Sequence, residues 1–372
     1  MKVLYVISSL AKCGPVNVLY DIVQPLAKEN VVVVATLRAE GENSRAADFA
    51  ELGVNVVRLT DSRSDYLRNA KKRLGLLLKS FQPEVVHTHG YRADVLCSGL
   101  DVPVVTTVHN NIYEDFRDTY GPMVGRFMER SQVRALRSIP YIVACSQSNA
   151  DYLMRGYGLQ ARAIRNGVDQ ERFSQPSGQT KNRLRATLGM DSGHYILVST
   201  GGCSERKRTL DTIASFNRVL AGRGFELFIL GGGPLLDRCR EIAGEGVHVL
   251  GPQPNVVDYL RASDLFVSLS ASEGMPLAVL EAISCGLPVL LSDIGPHKEI
   301  AMAIWQPGSC QIVEPAAAEI DRALTDLREN PDQGRRGADE ILQFSSSAMA
   351  ADYLSLYREI AGRRSRKDKT AV

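Results

Sequence analysis

Several things are missing from this chain, and each gap removes a class of protein. No apolar run reaches eighteen residues, so nothing in it is long enough to span a bilayer core as a helix. The opening MKVLYVISSL has neither a long apolar core nor a small-residue cleavage site, which predicts a buried first strand rather than a signal peptide. No CxxC pair occurs among the seven cysteines (Cys13, Cys97, Cys145, Cys203, Cys239, Cys285 and Cys310). They fit reduced thiols in a cytoplasmic protein, with no disulfide framework and no zinc site. Charge of one sign is not in excess either: 44 Lys and Arg stand against 42 Asp and Glu, and nothing global points to nucleic acid. Gly231, Gly232 and Gly233 lack the G-x-G-x-x-G spacing and any GKS/T ending, which excludes a dinucleotide fingerprint and a P-loop.

What is present is alternation. Short apolar runs at 3–7, 31–36, 54–59, 85–89, 102–108, 195–199, 226–230 and 265–269 predict strands, and the stretches between them carry helical periodicity. A chain of 372 residues suits two domains, and the polar run DQERFSQPSGQT between the two series reads as a linker. We therefore expect domains at 1–169 and 181–344, a linker at 170–180, a last amphipathic helix at 345–361 and a disordered basic tail at 362–372. Each domain is expected to be doubly wound, with ligand outside the carboxyl ends of the strands. Residues 1–165 hold 21 basic and 16 acidic side chains and the remainder 23 and 26, so the first half is mildly basic. Part of that bias sits on predicted helices at 65–80 and 122–137, where a lipid-facing and a solvated reading both remain open.

The organising stretch is DLFVSLSASEGMPLAVLEAISCGLPVLLSD, residues 264–293, which predicts strand, turn, helix from about Pro276, turn and strand. Its turn carries Glu273 and its helix Glu281. On one helix, acids eight apart would lie roughly 12 Å apart along the axis, too far to flank a single bond as a glycosidase pair does. The two carboxylates are expected to serve different parts of one long ligand, with an anionic group at the helix start. A competing reading makes them a solvated turn acid and a helix acid paired with a lysine.

With those residues in view the chain resembles the retaining nucleotide-sugar-dependent glycosyltransferases of the GT-B fold, family GT4, of the bacterial surface-polysaccharide type. The likeness runs through SEGMPLAVLEA, SCGLPVLLSD, SERKR and the Gly231–Pro234 segment. It implies an α/β protein of two Rossmann-like doubly wound domains facing across a cleft, with a carboxyl-terminal helix crossing back to the first. By resemblance Glu281 would hold ribose hydroxyls, Glu273 would contact the transferred sugar beside the amides of Met275 and Leu277, and Lys207 would meet the donor diphosphate. The family's Gly-Arg is Gly201-Gly202 here, and Arg206 is expected to restore the missing charge. Gly14 stands where the family's first loop often has two glycines, Gly232 is expected in a tight turn near the nucleotide, and His109 matches a histidine near the sugar. His87 and His89, at i and i+2, also raise a metal pair, but no third ligand is evident.

The function this implies is transfer of a hexosyl unit from a nucleoside-diphosphate sugar, with UDP favoured, to a hydroxyl of a growing surface glycan. The configuration would be retained by a front-face route, and no metal or other cofactor would be required. The implied acceptor is carried on a polyprenyl diphosphate, and the implied location is cytoplasmic, peripheral at the inner face of an anionic membrane, without nucleic acid. Three rivals stand beside it: a sugar-nucleotide epimerase, an inverting transferase of the same architecture, and a non-catalytic nucleotide-sugar-binding protein.

Overall fold

The computed structural model describes residues 1–304, 310–314, 316–330 and 339–370. Within it the chain divides into two compact units, Met1–Gly167 with Ser346–Val372, and Val168–Ser345.

The first unit runs β1 (Lys2–Ile7), α1 (Gly14–Leu26), β2 (Val31–Thr36), α2 (Ala46–Glu51), β3 (Asn55–Arg58), α3 (Arg63–Phe81), β4 (Val85–His89) and α4 (Tyr91–Cys97). It continues through β5 (Val104–Val108), α5 (Ile112–Tyr120), α6 (Pro122–Leu136), β6 (Tyr141–Ala144), α7 (Gln147–Tyr157) and β7 (Arg162–Ala163). The second holds α8 (Gly178–Leu188), β8 (Tyr195–Thr200), α9 (Thr209–Val219), β9 (Phe225–Leu230), α10 (Leu236–Ile242), β10 (Val247–Gly251) and α11 (Val256–Ala262). After these come β11 (Leu265–Ser268), α12 (Leu277–Ser284), β12 (Val289–Ser292), α13 (Gly295–Ala303), β13 (Cys310–Val313), α14 (Ala317–Glu329) and a 3-10 turn at Asp339–Phe344. The last helix, α15 (Ser346–Thr370), belongs to the first unit.

Among the described residues each unit has one parallel sheet, ordered β3-β2-β1-β4-β5-β6-β7 in the first and β10-β9-β8-β11-β12-β13 in the second. Both orders reverse beside the strand that opens the unit, which is the Rossmann-like arrangement. The strand runs are near-continuously apolar because both faces are covered: β4 and β5 are buried at every residue. Side-chain caps set several helix starts. Ser62, Ser146 and Ser177 accept from the amides three residues on, at 3.2, 3.0 and 3.2 Å. Ser177 thereby draws the end of the expected linker into α8.

α15 completes the first unit. Its buried Met349, Ala350, Tyr353, Leu356, Tyr357 and Ile360 recur at helical spacing, and the helix packs against α1. Two of those side chains carry hydroxyls into the interior. Tyr357 Oη lies 2.6 Å from His87 Nδ1 and 3.1 Å from Tyr5 Oη, while Tyr353 Oη lies 2.8 Å from Thr107 Oγ1, itself 2.8 Å from His87 Nε2. A second buried junction ties the opposite helical layer: Asp94 of α4 accepts from Thr88 and Thr106 on β4 and β5 and from Gln132 on α6, at 2.6, 2.7 and 2.8 Å.

Some boundaries differ from expectation. α9 begins only at Thr209, because Arg208 takes φ 50°, outside the right-handed helical basin. The helix expected at 122–137 is α6, and Gly121, with φ 81°, separates it from α5. The basic segment expected as a disordered tail is helical through Thr370, an unbroken continuation of α15. Residues 371–372 of that tail, and Ser309 at the start of an expected strand, lie outside the described residues.

Removing the Tyr357 hydroxyl leaves His87 Nδ1 and Tyr5 Oη short of a buried partner. Tyr357→Phe should therefore lower unfolding free energy by about 1–3 kcal/mol, read from urea denaturation. An unchanged midpoint would show that the junction contributes nothing.

Candidate active site

β8 and β11 are neighbours where the second sheet's order reverses, and the loops leaving their carboxyl ends carry the charged residues singled out by sequence. Glu273 is buried. Its Oε1 accepts from Lys207 Nζ at 2.5 Å, and its Oε2 lies 3.1 Å from Arg206 Nη1. Arg206 stitches the two loops together. Its Nη1 donates to Ser272 O at 2.8 Å, and its own carbonyl accepts from the amide of Ala271 at 2.7 Å. The structure thus brings Arg206, Lys207 and Glu273 into one cluster, although 66 residues separate Lys207 from Glu273.

Burial alone would raise the Glu273 carboxyl, but the charges of Lys207 and Arg206, with hydrogen bonds from Lys207 and Ser270, outweigh it and hold the group at about 2. Glu281 shows the opposite balance. It lies on α12, half-buried, and burial pushes it up to about 7, with only the charge of Arg172 acting downward. No hydrogen bond to its carboxylate is found among the described residues.

α12 starts one residue later than expected, with Pro276 as its N-cap rather than its first helical residue. Leu277 is that first residue, and the amides of Leu277 and Ala278 make no hydrogen bond among the described residues, as the first turn of a helix leaves them. Met275 is buried just before.

The three glycines after β9 have a packing reason. A Cβ at Gly231 would stand 1.7 Å from Gly201 O, and one at Gly233 would stand 2.4 Å from Cys203 O. Their φ values of 140° and 147° are also outside the range of other residues. The loops after β8 and β9 meet backbone to backbone here, with the amide of Cys203 donating to Gly232 O at 2.8 Å. Gly201 in turn sits against Lys207, whose Cε is 3.3 Å from where a Cβ would be. These loops therefore hold the Lys207 segment in place.

In the first unit Gly14 opens α1, exposed, with nothing within 4 Å of the position a Cβ would take. His109 follows β5 and is half-buried. Its Nε2 lies 2.8 Å from His89 Nδ1, the two rings stack at 5.0 Å, and its Nδ1 has no partner among the described residues. Burial lowers His109 to about 4 and puts His87 and His89 well below the usual histidine range, so all three are neutral at pH 7 and act as hydrogen-bonding groups. His87 and His89 do not form a metal pair: His87 is occupied by Tyr357 and Thr107, and among the described residues no group of three His, Cys, Asp or Glu is arranged to hold a metal.

One residue was missed by sequence. His297, on α13, is fully buried, with Nδ1 at 3.0 Å from Ser292 O and Nε2 without a partner among the described residues. Burial holds it at about 4, and the charges of Glu273 and Lys207 both reach it. Nothing in its sequence neighbourhood marks it, because its link to the cluster is made in space.

A parallel two-unit Rossmann-like architecture with this charged cluster at a strand-order reversal defines a GT-B glycosyltransferase, a nucleotide-sugar-dependent enzyme. The chain is related to Glycosyltransferase Family 4 over residues 13–172 and to Glycosyl transferases group 1 over residues 194–330. It is 25% identical over 374 residues to the O-antigen biosynthesis glycosyltransferase WclY of Escherichia coli, covering 97% of this chain and 99% of that one. It is 28% identical over 239 residues to the GDP-mannose:cellobiosyl-diphosphopolyprenol alpha-mannosyltransferase of Komagataeibacter xylinus, covering 62% and 58%. The chain spans about half of TuaC of Bacillus subtilis, named for teichuronic acid biosynthesis, with 27% identity over 55% of that protein. Among solved structures, Anabaena HepE in complex with UDP superposes with a TM-score of 0.80 at 16% identity, covering 96% of this chain and 100% of that one. Among the described residues no helix is long and apolar enough to cross a membrane.

The expected retention of anomeric configuration is corrected. The family matches and relatives support nucleotide-sugar-dependent transfer of a hexose to an acceptor, and they sit better with the alternative in which this architecture is not tied to retention. The physical reason is that stereochemistry follows from how acceptor and leaving phosphate flank one carbon, which a fold does not dictate.

The raised Glu281 gives a stability test with a definite sign. Because the folded protein holds this proton more tightly than the unfolded chain, stability falls as pH rises from about 4.5 to about 7. Glu281→Gln removes that loss and should stabilise the protein by roughly 1–3 kcal/mol at pH 8 relative to parent, but not at pH 4. Urea denaturation at both values checks this, and an equal effect at both would contradict it.

Proposed function

We propose that the second unit binds a nucleoside-diphosphate sugar at the ends of β8 and β11, with UDP as the nucleotide, and that the acceptor is a glycan on a polyprenyl diphosphate. The observation that carries the donor half is the Lys207–Glu273–Arg206 cluster beside the start of α12. Two cations against one carboxylate leave a net positive charge at a helix start with unpaired amides, which favours a diphosphate. Lys207 and Arg206 offset the negative charge growing on the departing nucleotide, so they stabilise the transition state more than the ground state. Glu273, kept ionised, holds Lys207 in place and accepts from sugar hydroxyls through its remaining lone pairs, with Met275 and Leu277 beside it. Glu281, one helix turn beyond, accepts from the ribose, and Gly232 lets the loop pass close to the nucleotide. In the first unit Gly14 allows backbone approach at the start of α1, and His109 offers Nδ1 to a sugar hydroxyl.

The lipid-linked acceptor is supported by relatives whose names carry O-antigen biosynthesis and a diphosphopolyprenol substrate. A cytoplasmic protein working at the membrane surface is the matching location.

Thermal shift with UDP, GDP and their sugars, followed by transfer assays, tests the reading. Lys207→Met should lower kcat by roughly a hundredfold or more with nucleotide affinity little changed. Glu281→Ala should weaken donor binding by roughly tenfold to a hundredfold. Kinetics equal to the parent for both variants would refute the assignment. Nucleotide binding with no transfer to any acceptor would instead favour the non-catalytic reading.

A further inference from the structure

His87 and His89 stand on one face of β4, and the fold treats their ring nitrogens differently. Both nitrogens of His87 are engaged in the junction with α15, Nδ1 by Tyr357 and Nε2 by Thr107. His89 is also buried, yet its ring makes one hydrogen bond, from Nδ1 to His109 Nε2 at 2.8 Å, and its Nε2 has no partner among the described residues. A side chain kept at this place for packing alone would be better apolar, because a stranded polar atom in the interior is unfavourable. The polar ring at position 89 therefore finds its reason in what it does to His109.

Two neutral imidazoles that meet nitrogen to nitrogen share one proton between those atoms. If it sits on His89 Nδ1, then His89 Nε2 is a bare acceptor and His109 carries its own proton on Nδ1. If it sits on His109 Nε2, then His89 Nε2 is a buried N–H with nothing to receive it, and His109 Nδ1 is bare. The rest of the protein separates these arrangements. Among the described residues, the other buried side-chain atoms without a hydrogen-bond partner are oxygens and Nε2 of His297. That histidine nitrogen is itself bare, since Nδ1 of the same ring lies 3.0 Å from the carbonyl of Ser292 and must donate there. The fold thus leaves buried acceptors unfilled elsewhere but strands no buried side-chain N–H, which selects the arrangement with the proton on His89 Nδ1.

His89 can aim its neighbour because it is held itself. Its ring lies against His87, with centroids 4.4 Å apart, and near Tyr5, at 6.1 Å. His87 is in turn clamped by hydroxyls from α15 and β5. His109 has no such support of its own. Its ring makes no other hydrogen bond among the described residues, so without His89 it is free to turn about its last torsion.

We propose that His89 is a positioning residue that donates its Nδ1 proton to His109 Nε2 and so fixes His109 in the tautomer that presents Nδ1–H to the ligand. The inference rests on the reading of His109 as a contact of the transferred sugar. It adds the direction of that contact: His109 gives the hydrogen bond, and the sugar oxygen it meets accepts. The hydroxyl junction that seats α15 then has a second effect, because it backs the ring that aims His109.

The test reads the protons first and the kinetics second. In the full chain, free of ligand and isotope-labelled at its histidine nitrogens, the His109 signals are assigned among the six histidines by their loss in His109→Gln. Nuclear magnetic resonance should show a protonated Nδ1 and a bare Nε2 on His109, with a coupling across the hydrogen bond from that Nε2 to His89 Nδ1. His89→Leu should lower kcat/KM for transfer by roughly tenfold, and His89→Asn, which puts an amide N–H where Nδ1 was, should restore most of it. With His109→Ala already in place, His89→Leu should cost nothing further. A His109 proton on Nε2, His89→Leu with parent kinetics, His89→Asn as impaired as His89→Leu, or a further loss in the double variant would each overturn the proposal. The parent spectrum needs no change at position 89, so it decides the proton assignment even where His89→Leu fails to fold. His109→Ala with parent kinetics would remove His109 from the proposed sugar site, and the ligand-free spectrum would still support or overturn the assignment by itself.

Discussion

A carboxylate buried with two cations is the constraint on which the second unit's working end depends. Ionised Glu273 is unfavourable in an apolar surrounding unless positive charge and hydrogen-bond donors meet it. Lys207 and Arg206 supply that from one strand-end loop, and Arg206 fixes its own loop to the other through Ser272 and Ala271. The dependence runs both ways. Lys207 would swing freely on its four-carbon stem without the carboxylate, and Glu273 would protonate without the lysine. The glycines after β8 and β9 enter here because only residues without a Cβ let the Lys207 loop rest on its neighbour. Local sequence choices that look like turn chemistry are thus part of the electrostatics.

How much of this could be read beforehand follows from how far each feature reaches along the chain. Strand–helix alternation is local, and it gave two Rossmann-like units and the helix that returns to the first. The loop carrying Glu273 and the SERKR segment could be identified by resemblance, whereas the meeting of Arg206 and Lys207 on one carboxylate appears only in space. The Glu273–Lys207 contact, the orphaned His297 and the raised Glu281 are products of burial, which no window of sequence reports. Gly121 and Gly125 are similar. Arginine spacing gives the helix at 122–137 but not the backbone-to-backbone closure of α5 on α6 at Gly125, so the exposed corner was invisible until both helices were placed.

His87 and His89 show how one pattern serves a different end. Two histidines at i and i+2 on a strand end could ligate a metal, but here both are neutral. One is clamped by hydroxyls from α15 and β5, the other leans on His109. Neutral imidazoles suit this because each can give one hydrogen bond and accept another without the cost of a buried charge. The final helix is therefore joined to the first sheet through polar contacts that require correct seating, in addition to its apolar stripe. A greasy helix alone could slide by a turn. One whose Tyr353 and Tyr357 must meet Thr107 and His87 cannot do so without stranding buried polar atoms.

The two acids of the organising stretch end up in opposite states for one reason, their distance from positive charge. Glu273 is surrounded by it and stays ionised far below neutral pH. Glu281, eight residues on, has only the more distant Arg172 and is held near half-protonation around pH 7. A stretch that places one carboxylate among cations and keeps the next away from them leaves excess positive charge at the start of α12 and a half-protonated acid further along it. That gradient complements a ligand that is anionic at one end and hydroxylated at the other. Had both acids been ion-paired, the stretch would be electrically satisfied and would offer such a ligand little. In the function proposed above, a nucleotide sugar uses the imbalance between them.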